Sequence, residues 1–396
     1  EHDFYLKNGK KAWASLNVLS SAPSTTNAPK FYSGDDIAGS LSLDLESNQY
    51  IQAIKLTILG RIITSHNEDG SFTFLDESAI LWSKAMGDPR VTVEQTGDKK
   101  FDGRLIGQYS WPFSFKFPTQ ATLSSGGFAA PHHVFKMPQS FREKETSATI
   151  QYDLVLHISR GKLRADQRIQ TPIIYVPKIV PDPPSIPRQL AYRDNSPLPG
   201  PGSDPDGWFS LPSTIIYGEI YERHGIPVEY NLSLARPLCY TRGTVIPCSL
   251  TIRCVDTQVL DLLSSPRAIN ARLQRRIKYF QSNVRQAAKR RSSTTGAIQH
   301  DVEETKITTA KWWSPPKDSL LDGDERRVEG ELHLPRDLQP SSDFAHFIVE
   351  VSYSVDLVKF NCPVFVQAEP REILASQIVT IATFPTPGPM PRAYTA

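Results

Sequence analysis

The sequence predicts an all-β protein of two tandem antiparallel β-sandwiches with at most one or two short helices. Three observations carry that expectation. Apolar residues recur with period two along most of the chain, helix-period stretches are scarce, and one proline-dense segment separates two halves of similar strand count. A length of 396 residues suits about two domains, and 39% hydrophobic with 22% charged residues suits packed cores and excludes a disordered chain. The net charge is only +2, so the whole molecule is neither a polycation nor a polyanion.

Taken in order, residues 1–30 hold one short apolar patch, Ala12 to Leu19, broken by Ser15 and Asn17, which is no secretory leader. The chain starts at Glu1 rather than Met, which reads as a processed or trimmed product. Ile54, Leu56, Ile58 and Ile62 alternate with polar residues, as do Ala148, Ile150, Tyr152, Leu154, Leu156 and Ile158. In the second half the alternating sets are Ile246 to Cys254 and Phe347 to Leu357. One buried and one polar face per strand is the antiparallel pattern. About seven strands precede residue 180 and about eight follow 210, each the complement of one sandwich. Between them, Val180–Gly207 contains eight prolines, too many missing donors for a central strand, and reads as an extended linker. The expected organisation is a sandwich at 1–180, a Pro-rich linker at 181–207, a sandwich at 208–385 and a short tail at 386–396. Asp256 to Leu263, with Asp256 as N-cap, is the best helix candidate, and Arg285 to Gly296 reads as a long loop inside the second domain.

Four cysteines, Cys239, Cys248, Cys254 and Cys362, are far too few for a disulfide scaffold and suit a reducing, intracellular compartment. Cys248 and Cys254 fall on one strand face and read as buried thiols. The sequon at Asn231 lies within a predicted strand and would be idle there. No apolar run approaches the ~18 residues of a membrane span.

The two halves resemble each other. Gly34 to Leu43 parallels Gly243 to Ile252, with Gly, Ile, Ser and an apolar pair in step. Ala53-Ile54 with Arg61-Ile62 parallels Ala268-Ile269 with Arg276-Ile277, and Phe115-Lys-Phe117-Pro118 parallels Leu332-His-Leu334-Pro335. The long strands at 148–158 and 347–357 come last in both halves, so one sandwich topology is expected twice.

These residues also resemble a known family. Phe31-x-x-Gly34-Asp-x-Ile37-x-Gly39, Ile54-x-Leu56 with Gly60, Trp111-Pro-Phe113-x-Phe115-x-Phe117-Pro118, Pro138-x-Ser140-Phe141 and Ile150-x-Tyr152-x-Leu154 are similar to arrestin-like proteins, above all the fungal ones. The likeness in the second half centres on Gly225-Ile-Pro227 and the strand at 245–254. The resemblance implies two tandem immunoglobulin-like sandwiches that work as a protein-binding adaptor in endocytosis, protein transport and ubiquitination, in the cytoplasm or peripheral to endosomal or plasma membrane. It also implies that basic residues near the first strand, here Lys7, Lys10 and Lys11, meet phosphates of a partner, and that Arg275 belongs to an inter-domain charge network. The Pro-Pro-x-Tyr motif of ubiquitin-ligase recruiters is missing: Pro183-Pro184 is followed by Ser-Ile and Pro315-Pro316 by Lys-Asp.

No catalytic motif stands in the sequence: there is no Gly-x-Ser-x-Gly, His-Glu-x-x-His, Walker loop or Gly-x-Gly-x-x-Gly. His132-His133 point apart on an extended chain, and Asp204-x-Asp206-Gly207 and Asp322-Gly-Asp324 lack the ligand series of a calcium loop, so no metal or cofactor is expected. Charge is uneven, however. Between Pro266 and His300 stand nine Arg or Lys and no Asp or Glu. Arg272, Arg276 and Lys278 share a strand face and Arg285, Lys289, Arg290 and Arg291 continue into the loop, an anion-binding strip for phosphorylated tails or anionic lipid. The bland alternative is a solvated face balanced by the acids from Asp301 to Glu304. Arg275 falls on the apolar register with Leu273 and Ile277, where an edge location would also suit it. Ser292 and Ser293, after two arginines, read as basophilic kinase sites whose phosphorylation would weaken the strip. Nucleic acid is not expected, because the strip lacks a stacking platform. The functional expectation is a non-enzymatic adaptor for membrane cargo or trafficking factors. The alternatives are a retromer-subunit-like scaffold in a stable complex, or an enzyme with a site assembled from distant loops.

Overall fold

The computed structural model describes every residue except 23–27, 65–70, 91–100, 124–132, 144–147, 162–163, 222, 281–299, 316–322, 343–348, 370 and 395–396. It is an all-β chain, with two α-helices among the described residues, and it divides into two compact units. The first spans Glu1–Pro177, and the second is built from Lys178–Lys278, His300–Ala345 and Val349–Ala396.

In the first unit one sheet has the order β1 (His2–Asn8), β2 (Lys11–Leu19), β4 (Asp36–Tyr50), β7 (Arg104–Lys116). The facing sheet runs β3 (Lys30–Tyr32), β12 (Gln167–Val176), β11 (Ala148–Ser159), β5 (Ala53–Thr64), β6 (Ser71–Ser83), with β10 (Phe141–Arg142) added to β11. β8 (Gln120–Leu123) and β9 (His133–Lys136) pair with one another. The alternation that predicted β11 is observed: Ile150, Tyr152, Leu154, Leu156 and Ile158 are all buried. Their sheet closes on Leu16, Leu41 and Leu43, and an aromatic cluster of Phe31, Phe117, Tyr152 and Tyr175 fills one end, with Phe117 and Tyr175 stacked at 4.6 Å.

In the second unit the first sheet has the order β20 (Lys311–Trp313), β21 (Glu325–His333), β17 (Val245–Arg253), β15 (Arg223–Ala235), β14 (Thr214–Ile220), β23 (Val366–Gln367), with β13 (Trp208–Ser210) also on β15. The second sheet runs β16 (Cys239–Thr241), β24 (Ile373–Ala382), β22 (Val349–Val358), β18 (Asn270–Phe280), β19 (His300–Thr309).

The orders match position by position. β1-β2-β4-β7 corresponds to β14-β15-β17-β21, and β3-β12-β11-β5-β6 to β16-β24-β22-β18-β19. Among the described residues, each unit has a parallel pairing at the same place, β3 with β12 and β16 with β24. A positive-φ glycine, Gly34 or Gly243, turns the chain into β4 or β17. Tyr152 donates its hydroxyl to Pro138 carbonyl at 2.6 Å, and Tyr353 does the same to Gln339 at 2.8 Å. Two residues further on, Ser140 exchanges hydrogen bonds with Tyr175 as Ser341 does with Ile381. The doubling expected from scattered identities is therefore a doubling of topology and of buried polar anchors.

The proline-dense segment differs from its expectation. Instead of an extended linker, it carries helix α1 (Ile186–Asp194), packed into the second unit through Arg188, Ala191 and Tyr192. The physical reason is the spacing. Pro187 sits in the first helical turn, where its missing N–H costs nothing, and no further proline interrupts until Pro197. Asn195 closes the helix in the left-handed conformation at φ 52°. Helix α2 (Thr257–Leu263) follows its expectation: Asp256 accepts from the Gln258 and Val259 amides at 3.1 and 3.2 Å, and Val259, Leu260 and Leu263 are buried.

Candidate partner-binding surfaces

The first cationic site is made by a tight turn. β1 and β2 are joined through Gly9, whose φ of 60° favours a residue without Cβ, and a bulge between Leu6 and Lys7 ends the regular register. Lys7 and Lys10 are exposed and have no carboxylate partner among the described residues; Lys7 Nζ lies 6.0 Å from the Tyr5 ring. Lys11 is different. It bonds Glu46 at 2.6 Å and stands 3.5 Å from Asp44, and these carboxylates, the Glu46 bond first, raise its pKa. Of the three lysines, two keep charge to offer.

The basic strip is divided in the same way. Arg272 on β18 lies 4.0 Å from Asp356, which is 2% exposed and also accepts the Ser376 hydroxyl at 2.6 Å. Arg276 places Nε and Nη2 on one oxygen of Glu304 in β19, at 2.9 and 2.7 Å. An exposed pair of that kind adds at most about 1 kcal/mol, but it cancels the charge locally. Lys278 is half-buried with no ion pair among the described residues. Arg275 stands where the register put it, between inward Leu273 and Ile277; it is half-buried and engaged with partners. Arg285, Lys289, Arg290, Arg291, Ser292 and Ser293 lie outside the described residues.

A further cluster was not proposed from the sequence. In β17 the residues from Val245 to Leu250 are all buried, so both faces of this strand are covered. The inner face meets the other sheet. Over the outer face lie α1 and the segment from Pro385 to Tyr394, which line a cavity of about 50 Å³ with Val245 and Pro247. Arg188 of α1 is 1% exposed, stacks over the Trp208 ring at 4.9 Å, and donates to the carbonyls of Arg236 (2.8 Å) and Gly207 (2.6 Å). Burial lowers its pKa, offset in part by Tyr192 and by Asp204, which caps the turn at Gly207 and bonds Ser185. Burial likewise pushes the Tyr192 hydroxyl up to about 12 and the Cys239 thiol, on the same cavity, up to about 11. The one legible signal was the unbroken run Val-Ile-Pro-Cys-Ser-Leu at 245–250, which departs from alternation.

A volume of about 50 Å³ has room for only a few water molecules. Among the described residues no group of three His, Cys, Asp or Glu is placed to hold a metal, and no helix is long and apolar enough to cross a membrane. The corresponding sheet of the first unit bears an open depression of about 450 Å³ whose lining includes Trp13, Ser15, Ser42, Asp44, Gln108 and Ser110.

Residues 25–179 match the family model of the arrestin (or S-antigen) N-terminal domain, a span that covers most of the first unit. No curated protein matches the chain.

Proposed function

We propose that the chain, whose residues 25–179 match the arrestin N-terminal domain, is an arrestin-like, non-enzymatic cytoplasmic adaptor that holds acidic or phosphorylated tails of membrane cargo. The observation that supports this reading is the pair Lys7 and Lys10, exposed and uncommitted beside β1, the strand at the edge of its sheet. An extended peptide can add to such an edge by main-chain hydrogen bonds while its phosphates, each carrying nearly two charges, meet the lysines. Lys278, with Arg285, Lys289, Arg290 and Arg291, supplies a second anion contact for phosphate or lipid headgroups in this reading, weakened when Ser292 and Ser293 are phosphorylated. Links to endocytic or ubiquitination machinery belong to the same proposal.

Fluorescence anisotropy with matched phosphorylated and unmodified acidic peptides tests it. Lys7→Glu with Lys10→Glu is expected to weaken phosphopeptide binding about 10-fold at low salt and less at high salt, while Lys11→Ala changes little because Lys11 is already paired. Equal binding by the double variant overturns the assignment. Isolation of the native protein in a fixed, stoichiometric complex would favour the scaffold reading instead.

A further inference from the structure

The segment Pro385–Tyr394 has an unusual composition for something packed on a sheet. Pro385, Pro387, Pro389 and Pro391 occupy every second position, so the segment cannot join a ladder; it bends over Pro387–Pro389, where Gly388 has φ 120°. It is held at its far end by one aromatic residue. The Tyr394 ring stacks on Trp313 of β20 at 4.6 Å between centroids, 18° from parallel. The Tyr394 amide donates to Glu331 Oε2 at 2.9 Å, and Glu331 Oε1 meets His333 Nε2 at 2.8 Å.

The receiving surface is built rather than incidental. Glu331 is 3% exposed on the outer face of β21, where a carboxylate needs a donor to offset its desolvation, and a backbone N–H is what it receives here. Trp313 shares that outer face, since it pairs with Glu329 two residues along β21. Trp312 points to the other face and lies across Gly330, where any Cβ would collide with its ring, which fixes β20 and so fixes Trp313. An aromatic platform beside a buried acceptor is fitted to an extended segment that presents one aromatic side chain together with its own backbone N–H.

We infer that the outer face of β20–β21 is a recognition surface for an extended proline-rich peptide carrying an aromatic residue three places after a proline, and that residues Pro391 to Tyr394 are its resident ligand. The inference stands apart from the cargo reading, which rests on Lys7, Lys10 and the basic strip of β18 and uses neither β20 nor β21. A partner protein with the same chemistry competes with the tethered segment, whose effective concentration is on the order of millimolar, so the intact chain binds such peptides weakly in trans.

The test uses the full chain and a fluorescent synthetic peptide of residues 385–396. Tyr394→Ala loosens the resident segment and is expected to bind the peptide at least ten-fold more tightly than the unaltered chain. Adding Trp313→Ala to Tyr394→Ala abolishes that binding, whereas Trp313→Tyr, which keeps an aromatic platform, retains most of it. Tyr394→Ala binding no better than the unaltered chain, or binding that survives Trp313→Ala, overturns the inference. The Trp313→Tyr arm distinguishes loss of the platform from loss of the fold.

Discussion

Ser40 on β4 and Ser249 on β17 occupy the same place in the two copies of one sheet, opposite Asn17 and Ser233 respectively, yet they live in different media. Ser40 is half-buried on an outer face whose neighbours Ser42 and Ser110 are exposed. Ser249 is 1% exposed, and its hydroxyl has no hydrogen-bond partner. The strands are alike; what differs is the chain laid over them. In the second unit α1 and the Pro385–Tyr394 segment turn a solvated face into an interior, and Arg188 is the residue that makes this tolerable by donating to two carbonyls beneath the cover. Whether a sheet face acts as surface or core is thus set by remote segments and a few polar anchors.

The largest test of this contrast is Arg188→Leu. It takes the side-chain donor from the Arg236 carbonyl, leaves the Gly207 carbonyl with only the Arg236 amide, and removes the guanidinium from the Trp208 ring; it is expected to cost about 3 kcal/mol in urea unfolding, while Ser42→Ala or Gln108→Ala on the bare face stays within about 0.5 kcal/mol. A tolerated Arg188→Leu would break the comparison. Next comes pH. The Tyr192 pKa is raised from 10.0 to about 12 in the folded chain, so its contribution is intact below pH 10 and disappears as pH rises from 10 to 12, where the unfolded chain ionises first. The difference between the unaltered chain and Tyr192→Phe is expected to change by up to about 2 to 3 kcal/mol over that window. The smallest effect has the opposite sign: Ser249→Ala removes a buried, unsatisfied hydroxyl and is expected to stabilise by roughly 0.5 to 1 kcal/mol, whereas Ser40→Ala is neutral within about 0.5 kcal/mol. Equal effects at the two serines would show that the cover lies on the second sheet only loosely.

Much of the fold was legible because strand signals are local. Tyr152 and its alternating neighbours announce a buried face within eleven residues, and Asp256 announces a helix within three. Helix α1 was hidden because eight prolines dominate the composition of Val180–Gly207, while the proline-free run from Arg188 to Ser196 that carries the helix is short. Charge was legible only as inventory. That Lys11 is neutralised by Glu46 and Arg276 by Glu304 depends on strands that arrive from 35 and 28 residues away. The stacking of Tyr394 on Trp313 joins positions with no local signal at all.

The Cys239 thiol has one more implication. Held near 11, it keeps its proton at neutral pH and lines the cavity closed by the proline-rich segment. Because Cys239 is itself half-buried, timed alkylation at neutral pH followed by peptide mass mapping reads its protonation and its exposure together, and Tyr394→Ala, which loosens the segment, is expected to raise the rate.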